Sequence, residues 1–135
     1  MNITIKQTKD IEQAKIIDLY ESVHWSSAKK PDKLYQALRH SHSLVTAWDG
    51  DRLIGLGNAI SDGFLVVYYA HLVVHPDYQG QGIGGKIVET FKQQYGDFHQ
   101  QVLVADGRSI AFYEKCGFER AGQTQSMWIY QGDEH

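Results

Sequence analysis

The sequence predicts one α/β domain built on a mixed sheet, antiparallel in its N-terminal half and parallel across a single crossover. Three observations carry that prediction. Helical and strand-like periods alternate along the chain, the turn dipeptide Asp49-Gly50 joins two strand-like runs, and the segment Gly80-Gln81-Gly82-Ile83-Gly84-Gly85 separates an apolar run from an amphipathic one. With 135 residues the chain can bury a core but is too short for a dinucleotide fold plus a separate substrate domain, so residues 1–135 are expected to form one unit.

The elements follow in order. Asp10 and Gln13 have the spacing of a capping box, and Ile11, Ala14, Ile17 and Tyr20 recur at helical intervals, which predicts a helix over 10–23. A break follows at His24-Trp25-Ser26-Ser27. Pro31 suits the first turn of a second helix that buries Leu34, Tyr35 and Leu38 and ends near His40. From Ser43 the period changes. Residues 43–48 and 52–60 flank Asp49-Gly50 as antiparallel strands, and the nearly unbroken apolar run 64–75 reads as a central strand covered on both faces. A helix over 83–95 carries Ile83, Ile87, Val88 and Phe91 on one side. Residues 102–105 form a short strand, 109–116 a helix closed by Gly117, and 118–121 and 127–130 the last strands. The order is βααββ, then βαβαββ.

Composition narrows the partners. Thirteen basic against sixteen acidic side chains, with no basic run beyond Lys29-Lys30, leave no electrostatic footprint for nucleic acid. The lone Cys116 excludes an internal disulfide framework, and no N-terminal apolar run has the length of a signal peptide or membrane span, so a cytoplasmic protein is expected.

The glycine segment is the first clue to chemistry. A loop in which four of six residues are glycine can turn its N–H groups toward an anion, and the helix that begins there adds the positive end of its dipole. A ligand carrying a pyrophosphate suits such a cradle.

Three motifs then resemble a known family. Leu72-x-Val74-x-Pro76, Gln79-x-x-Gly82-x-Gly84 and Phe112-Tyr113-Glu114-Lys115-x-Gly117-Phe118 are similar, in order and spacing, to the three signatures of the GNAT superfamily of acyl-CoA N-acyltransferases. The resemblance spans the chain and implies a sheet splayed at its central strand, with acetyl-CoA as co-substrate and no metal. It implies that the backbone of Leu72, Val73 and Val74 pairs with the pantetheine arm, an N–H near Val74 polarising the thioester carbonyl. Gln79, Gly80, Gln81, Gly82, Ile83 and Gly84, with Gly85 adjoining, would bind the pyrophosphate through main-chain N–H groups. Asp106, Ser109 and Phe112 would adjoin the carrier. Tyr113 matches the tyrosine that often faces the departing sulfur. Asp106 stands where many relatives have asparagine.

The chemistry needs a base. An amine attacks a thioester only unprotonated, yet a lysine-like amine has a pKa near ~10.4, so a group near the strand must take a proton directly or through water. His71 lies beside the thioester-binding residues and titrates near neutrality, which makes it the candidate, although many relatives place a carboxylate there. The competing reading is a buried histidine bonded to a carbonyl. Tyr113 would donate toward the emerging thiolate, its competing reading being a core tyrosine with a satisfied hydroxyl. Cys116 reads as a small hydrophobe at a helix end, since direct transfer needs no thiol nucleophile. Tyr68 and Tyr69 point to opposite faces. His71 and His75 share a face of a regular strand but lie ~13 Å apart, too far for one ion.

Acceptor recognition is expected at the break between the first two helices, where Tyr20, Trp25 and Ser26 would form an aromatic wall with a hydroxyl facing an ammonium group. No acidic cluster there suits a polyamine, so a small primary amine is favoured. Two alternatives remain. Gly80-x-Gly82-x-x-Gly85 formally matches a dinucleotide fingerprint with Asp106 as its ribose acid, although Pro76-Asp77-Tyr78-Gln79 intervenes between strand and first glycine. A non-catalytic acetyl-CoA sensor of the same fold would also keep the loop. Trp128 and Tyr130 on the expected last strand suit a homodimer contact.

Overall fold

The computed structural model describes residues 2–132. Its elements are β1 (Ile3–Gln7), α1 (Gln13–Ser22), a 3-10 turn (Ser26–Lys29), α2 (Pro31–Arg39), β2 (Ser43–Asp49), β3 (Arg52–Ser61), β4 (Val66–Val74), a second 3-10 turn (Pro76–Tyr78), α3 (Ile83–Gln94), β5 (Gln100–Leu103) and α4 (Ser109–Lys115). The sheet runs β1-β2-β3-β4-β5, antiparallel throughout except for the parallel β4–β5 pair. The expected mixed α/β fold is present.

Each face of the sheet buries a separate apolar cluster. Ile16, Leu19 and Tyr20 of α1 and Leu34 and Leu38 of α2 pack with Leu56 and Val73 on one face. On the other, Ile83, Ile87 and Phe91 of α3 pack with Val45, Ile54 and Val67. Two strand glycines let α3 come this close. A Cβ on Gly57 would lie 2.8 Å from the Phe91 ring and 3.0 Å from Ile87, and one on Gly55 3.4 Å from Ile83.

Three expectations are corrected. The first helix starts at Gln13, not Asp10. Its Ncap is Glu12 with no side-chain cap, and the Asp10 N–H donates instead to Thr8 Oγ, so the capping box does not form. Its buried face is accordingly Ile16, Leu19 and Tyr20. The strands expected over 118–121 and 127–130 do not form: beyond α4 the described chain is irregular apart from a turn at 121–124. Because those strands are absent, β3 is central and fully buried from Leu53 to Ala59, while most of β4 is only half-buried. The leading strand of the expected order is present as Ile3–Gln7, residues to which the pattern had not assigned it.

One irregularity positions the site. The β3–β4 register pairs Asn58 with His71 but Ala59 with Tyr69, so Ala70 is an extra residue in β4. Such a bulge reverses which face later side chains take. Val67 and Tyr69 face the α3 cluster, whereas His71 packs against Tyr20 of α1 and Val73 joins the α1 cluster. Without the extra residue His71 would point at α3.

Candidate active site

Beyond the bulge, β4 parts from β5. The parallel ladder ends at Tyr69↔Leu103, which leaves the stretch from Ala70 to Val74 without a partner strand on that side among the described residues. Its backbone direction follows from the neighbouring bonds. The His71 N–H donates to Asn58 Oδ1 (2.8 Å) and the His75 N–H to the Ile54 carbonyl (2.8 Å), both toward β3. By alternation, the N–H groups of Leu72 and Val74 point to the open side. An extended thioester-bearing chain laid there meets two aligned donors. Gln79 Nε2 donates to the Val74 carbonyl (2.9 Å), tying the loop back to the strand end.

The bulge has its own support. Asn58 is buried, and its Oδ1 supplies the acceptor that the displaced backbone no longer offers to His71. Its Nδ2 donates to Ser41 Oγ (3.1 Å), which donates to the Ala37 carbonyl (2.9 Å). The chain of bonds links α2 to the backbone of His71, with each buried polar atom satisfied.

The His71 ring stands in an aromatic cluster, 5.5 Å from Tyr20 and 5.3 Å from Trp25 by ring centroid. Its Nδ1 lies 2.7 Å from the Tyr20 hydroxyl. Tyr20 is wholly buried, and burial raises its pKa far above the ordinary tyrosine value, so the phenol stays neutral. With no exposed surface, Tyr20 cannot touch an acceptor as expected. It holds His71 instead. Trp25 and Ser26 are half-buried; Trp25 lines a cleft between the α1–α2 loop and β4 with Leu72, Val73, Val74 and Gln79, whereas the Ser26 hydroxyl lies 3.2 Å from the Tyr130 hydroxyl.

A second, narrower hollow lies between β4 and β5, where Tyr113 and His71 share a wall with Tyr69, Leu72, Leu103 and Phe118. This is how α4 reaches the strand. Phe112 sits where a Cβ on Gly84 would come within 3.3 Å of its ring, so the absent side chain seats α4 on the start of α3. Burial and the Cys116 thiol push the Tyr113 pKa up to about 12. Desolvation also raises the Cys116 thiol, which argues against a thiolate there.

The glycine loop follows β4 through the turn Pro76–Tyr78. Gly80 and Gly82 have φ of +79° and +80°, a region that favours glycine, and Gly82 is the left-handed Ncap of α3. The Lys86 N–H makes the first intrahelical bond, to the Gly82 carbonyl (3.1 Å), so the N–H groups of Ile83, Gly84 and Gly85 precede the helical ladder. The dipole and these donors suit a diphosphate, with Gln81 exposed beside them. Farther along, Ser109 Oγ donates to the Asp106 carbonyl (2.6 Å) and accepts the Asp106 N–H (3.0 Å), so Ser109 closes the loop before α4.

The structure therefore brings Leu72, Val74, His71, Tyr113 and the loop together at one splayed strand. Asn58 and the positioning role of Tyr20 were missed. A lone amide in the run Leu53-Ile54-Gly55-Leu56-Gly57-Asn58-Ala59-Ile60 was the available signal for the first. His75 is engaged away from His71, near Arg52 (Nη2 to Nε2, 3.1 Å). Among the described residues there is no cluster of three or more metal-ligating side chains, and no helix is long and apolar enough to cross a membrane.

Comparison with known proteins gives a consistent result. Residues 11–118 match the model of the acetyltransferase (GNAT) family. An uncharacterised N-acetyltransferase of Porphyra purpurea is 32% identical over 124 residues, covering 87% of this chain and 70% of that protein. A GNAT-family acetyltransferase structure from Streptococcus pneumoniae superposes with a TM-score of 0.84 at 32% identity, over 96% of this chain and 99% of that one. A probable acetyltransferase from meticillin-resistant Staphylococcus aureus gives 0.84 at 25% identity, over 96% and 100%.

Proposed function

The chain belongs to the GNAT acetyltransferase family and is an acyltransferase, and we propose that it moves the acetyl group of acetyl-CoA to the primary amine of a small molecule within a ternary complex. The observation that carries this reading is the open edge of β4 with its Leu72 and Val74 donors, leading directly into the glycine-capped start of α3. The diphosphate sits on the N–H groups from Gly80 to Gly85, since that of Gln79 donates to the Pro76 carbonyl (3.4 Å). The pantetheine then lies along β4 as an added strand, which brings the thioester to the hollow shared by His71 and Tyr113.

The amine nitrogen attacks the thioester carbon. The oxyanion is held by a preorganised backbone N–H, and collapse breaks the C–S bond while the nitrogen loses its extra proton. His71 takes that proton at Nε2, directly or through water, which requires Nδ1–H to donate to the Tyr20 oxygen. Tyr113 faces the sulfur. A phenol at about 12 is about 3.5 units weaker as an acid than a thiol near ~8.5, so full proton donation to the thiolate would be uphill by roughly 5 kcal/mol. Tyr113 therefore acts as a hydrogen-bond donor to the developing thiolate, and the proton that finally neutralises it comes from the amine by way of solvent. Trp25 faces the acceptor across the cleft.

The sheet order and the family exclude the dinucleotide fingerprint as the meaning of the glycine loop. A sensor is separated from an enzyme by a panel of primary amines incubated with acetyl-CoA, reading free thiol. Thiol release with at least one small amine, and none above background without amine, is expected. A folded, acetyl-CoA-binding protein silent on every amine class overturns the enzyme reading.

A further inference from the structure

The loop that joins α1 to α2 holds one backbone outlier. His24 has φ of +60°, and among the described residues it is the only residue other than glycine in the left-handed region. Its place in the chain explains the angle. The His24 N–H donates to the Glu21 carbonyl (3.1 Å) and the Trp25 N–H to the Tyr20 carbonyl (3.4 Å), the paired bonds of a helix end whose terminating residue is left-handed. Glycine is the usual occupant of that position, because a Cβ there crowds the following carbonyl and costs stability. A histidine kept where glycine would be more stable points to a use for its side chain.

The cleft beside β4 supplies that use. His24 and Trp25 stand on the wall that faces Val73 and Val74, and the other polar side chains of the lining are already engaged: the Ser22 hydroxyl donates to the Leu19 carbonyl, and the Gln79 amide to the Val74 carbonyl (2.9 Å). His24 is therefore the one ionisable side chain of the lining among the described residues, which includes no carboxylate. A carboxylate beside the acceptor nitrogen would favour its ammonium form, which cannot attack a thioester, so this lining leaves the nitrogen free to lose its proton. Selection then falls on another part of the acceptor.

We infer that His24 selects the acceptor by binding an anionic group, a carboxylate or a phosphate, that the amine carries at the end remote from its nitrogen. The inference rests on the transfer reaction proposed above and narrows its substrate class from small primary amines to those bearing such an anion. An imidazole donates an N–H to an oxyanion when neutral and adds a positive charge when protonated. The surrounding charges agree. From Ser22 to Pro31 the loop carries His24, Lys29 and Lys30 and no acidic residue; Glu21, just before it, is exposed and outside the cleft lining, and Asp32, just after it, accepts from Gln13 Nε2 of α1 (2.8 Å). Trp25 spans the two ends of the acceptor, since it is the chain neighbour of His24 and its ring lies 5.3 Å from that of His71. The nitrogen points to His71, the anion to His24, and the methylene linker lies on the Trp25 and Val73 walls.

Matched amines test this, read by thiol release from acetyl-CoA: ω-aminoalkanoates of about three to six carbons against ω-aminoalkanols of equal length, and 2-aminoethyl phosphate against ethanolamine. In the wild type the anionic member of at least one pair should have a kcat/KM at least about tenfold above its neutral partner, and the two series separate a carboxylate from a phosphate. His24→Gly and His24→Gln should each bring that ratio to within about twofold of unity through the KM of the anionic amine, while the KM for acetyl-CoA and the rates with neutral amines stay unchanged. His24→Gly should do so while unfolding at no lower temperature than the wild type, which a packing role for the ring would not allow. Three results would overturn the inference and leave the acetyltransferase reading intact: no anion preference in any pair, a preference that survives both variants, or variants that weaken acetyl-CoA binding itself. Silence of the wild type on every amine would overturn both.

Discussion

Tyr113 keeps its proton throughout the pH range in which an amine can be acetylated, because burial and the neighbouring Cys116 thiol push its pKa up to about 12. In the proposed mechanism its value is a hydrogen bond present only once the sulfur carries charge, and such a bond accelerates the step without tightening ground-state binding. Tyr113→Phe should therefore lower kcat by about 10- to 100-fold while the KM for acetyl-CoA moves by less than about twofold, read by thiol release. Equal turnover would remove Tyr113 from the mechanism. Tyr113 was legible because it sits inside a seven-residue span that holds six motif residues. Tyr20 was legible only as an aromatic near the acceptor break: its complete burial and its bond to His71 Nδ1 arise where α1 crosses β4, a long-range contact with no local pattern.

At the scale of elements, the bulge in β4 decides which face His71 takes, and Asn58 holds the bulge. Asn58→Ala removes the acceptor of the His71 N–H and the donor to Ser41, leaving buried polar groups unmet at a stability cost of about 1–3 kcal/mol. It should also lower kcat while acetyl-CoA affinity stays constant, because the loop and the Val74 edge do not depend on it. A stability loss with unaltered kcat would make Asn58 purely structural. Helix α2, the β2–β3 hairpin and α3 were readable because proline, Asp49-Gly50 and apolar periodicity act locally. The capping box at Asp10 failed because Thr8 captures the Asp10 N–H before the helix starts. Strand β1 was not located, since its five residues, Ile-Thr-Ile-Lys-Gln, are too short a signal until β2 pairs with them.

For the whole molecule, the alternation of periods was enough for the mixed sheet, and the three motifs for the splayed strand, because both are written in contiguous residues. The missing last strands mark the limit of that legibility. Residues 127–130 have the composition of a strand, but composition does not say which edge, if any, a strand will pair with. The central claim is that the N–H groups beyond β4 grip the diphosphate of an acyl carrier, and calorimetric titration of acetyl-CoA tests it directly when run on the wild type and on Gly82→Val. A Cβ at Gly82, whose φ is +80°, would meet no neighbour within 4 Å, so valine acts there by straining the left-handed Ncap and misdirecting the first amides of α3. The account predicts saturable one-to-one binding to the wild type and an affinity at least about tenfold weaker, some 1.4 kcal/mol, in a folded variant. No binding to the wild type, or equal affinity in the variant, would contradict it.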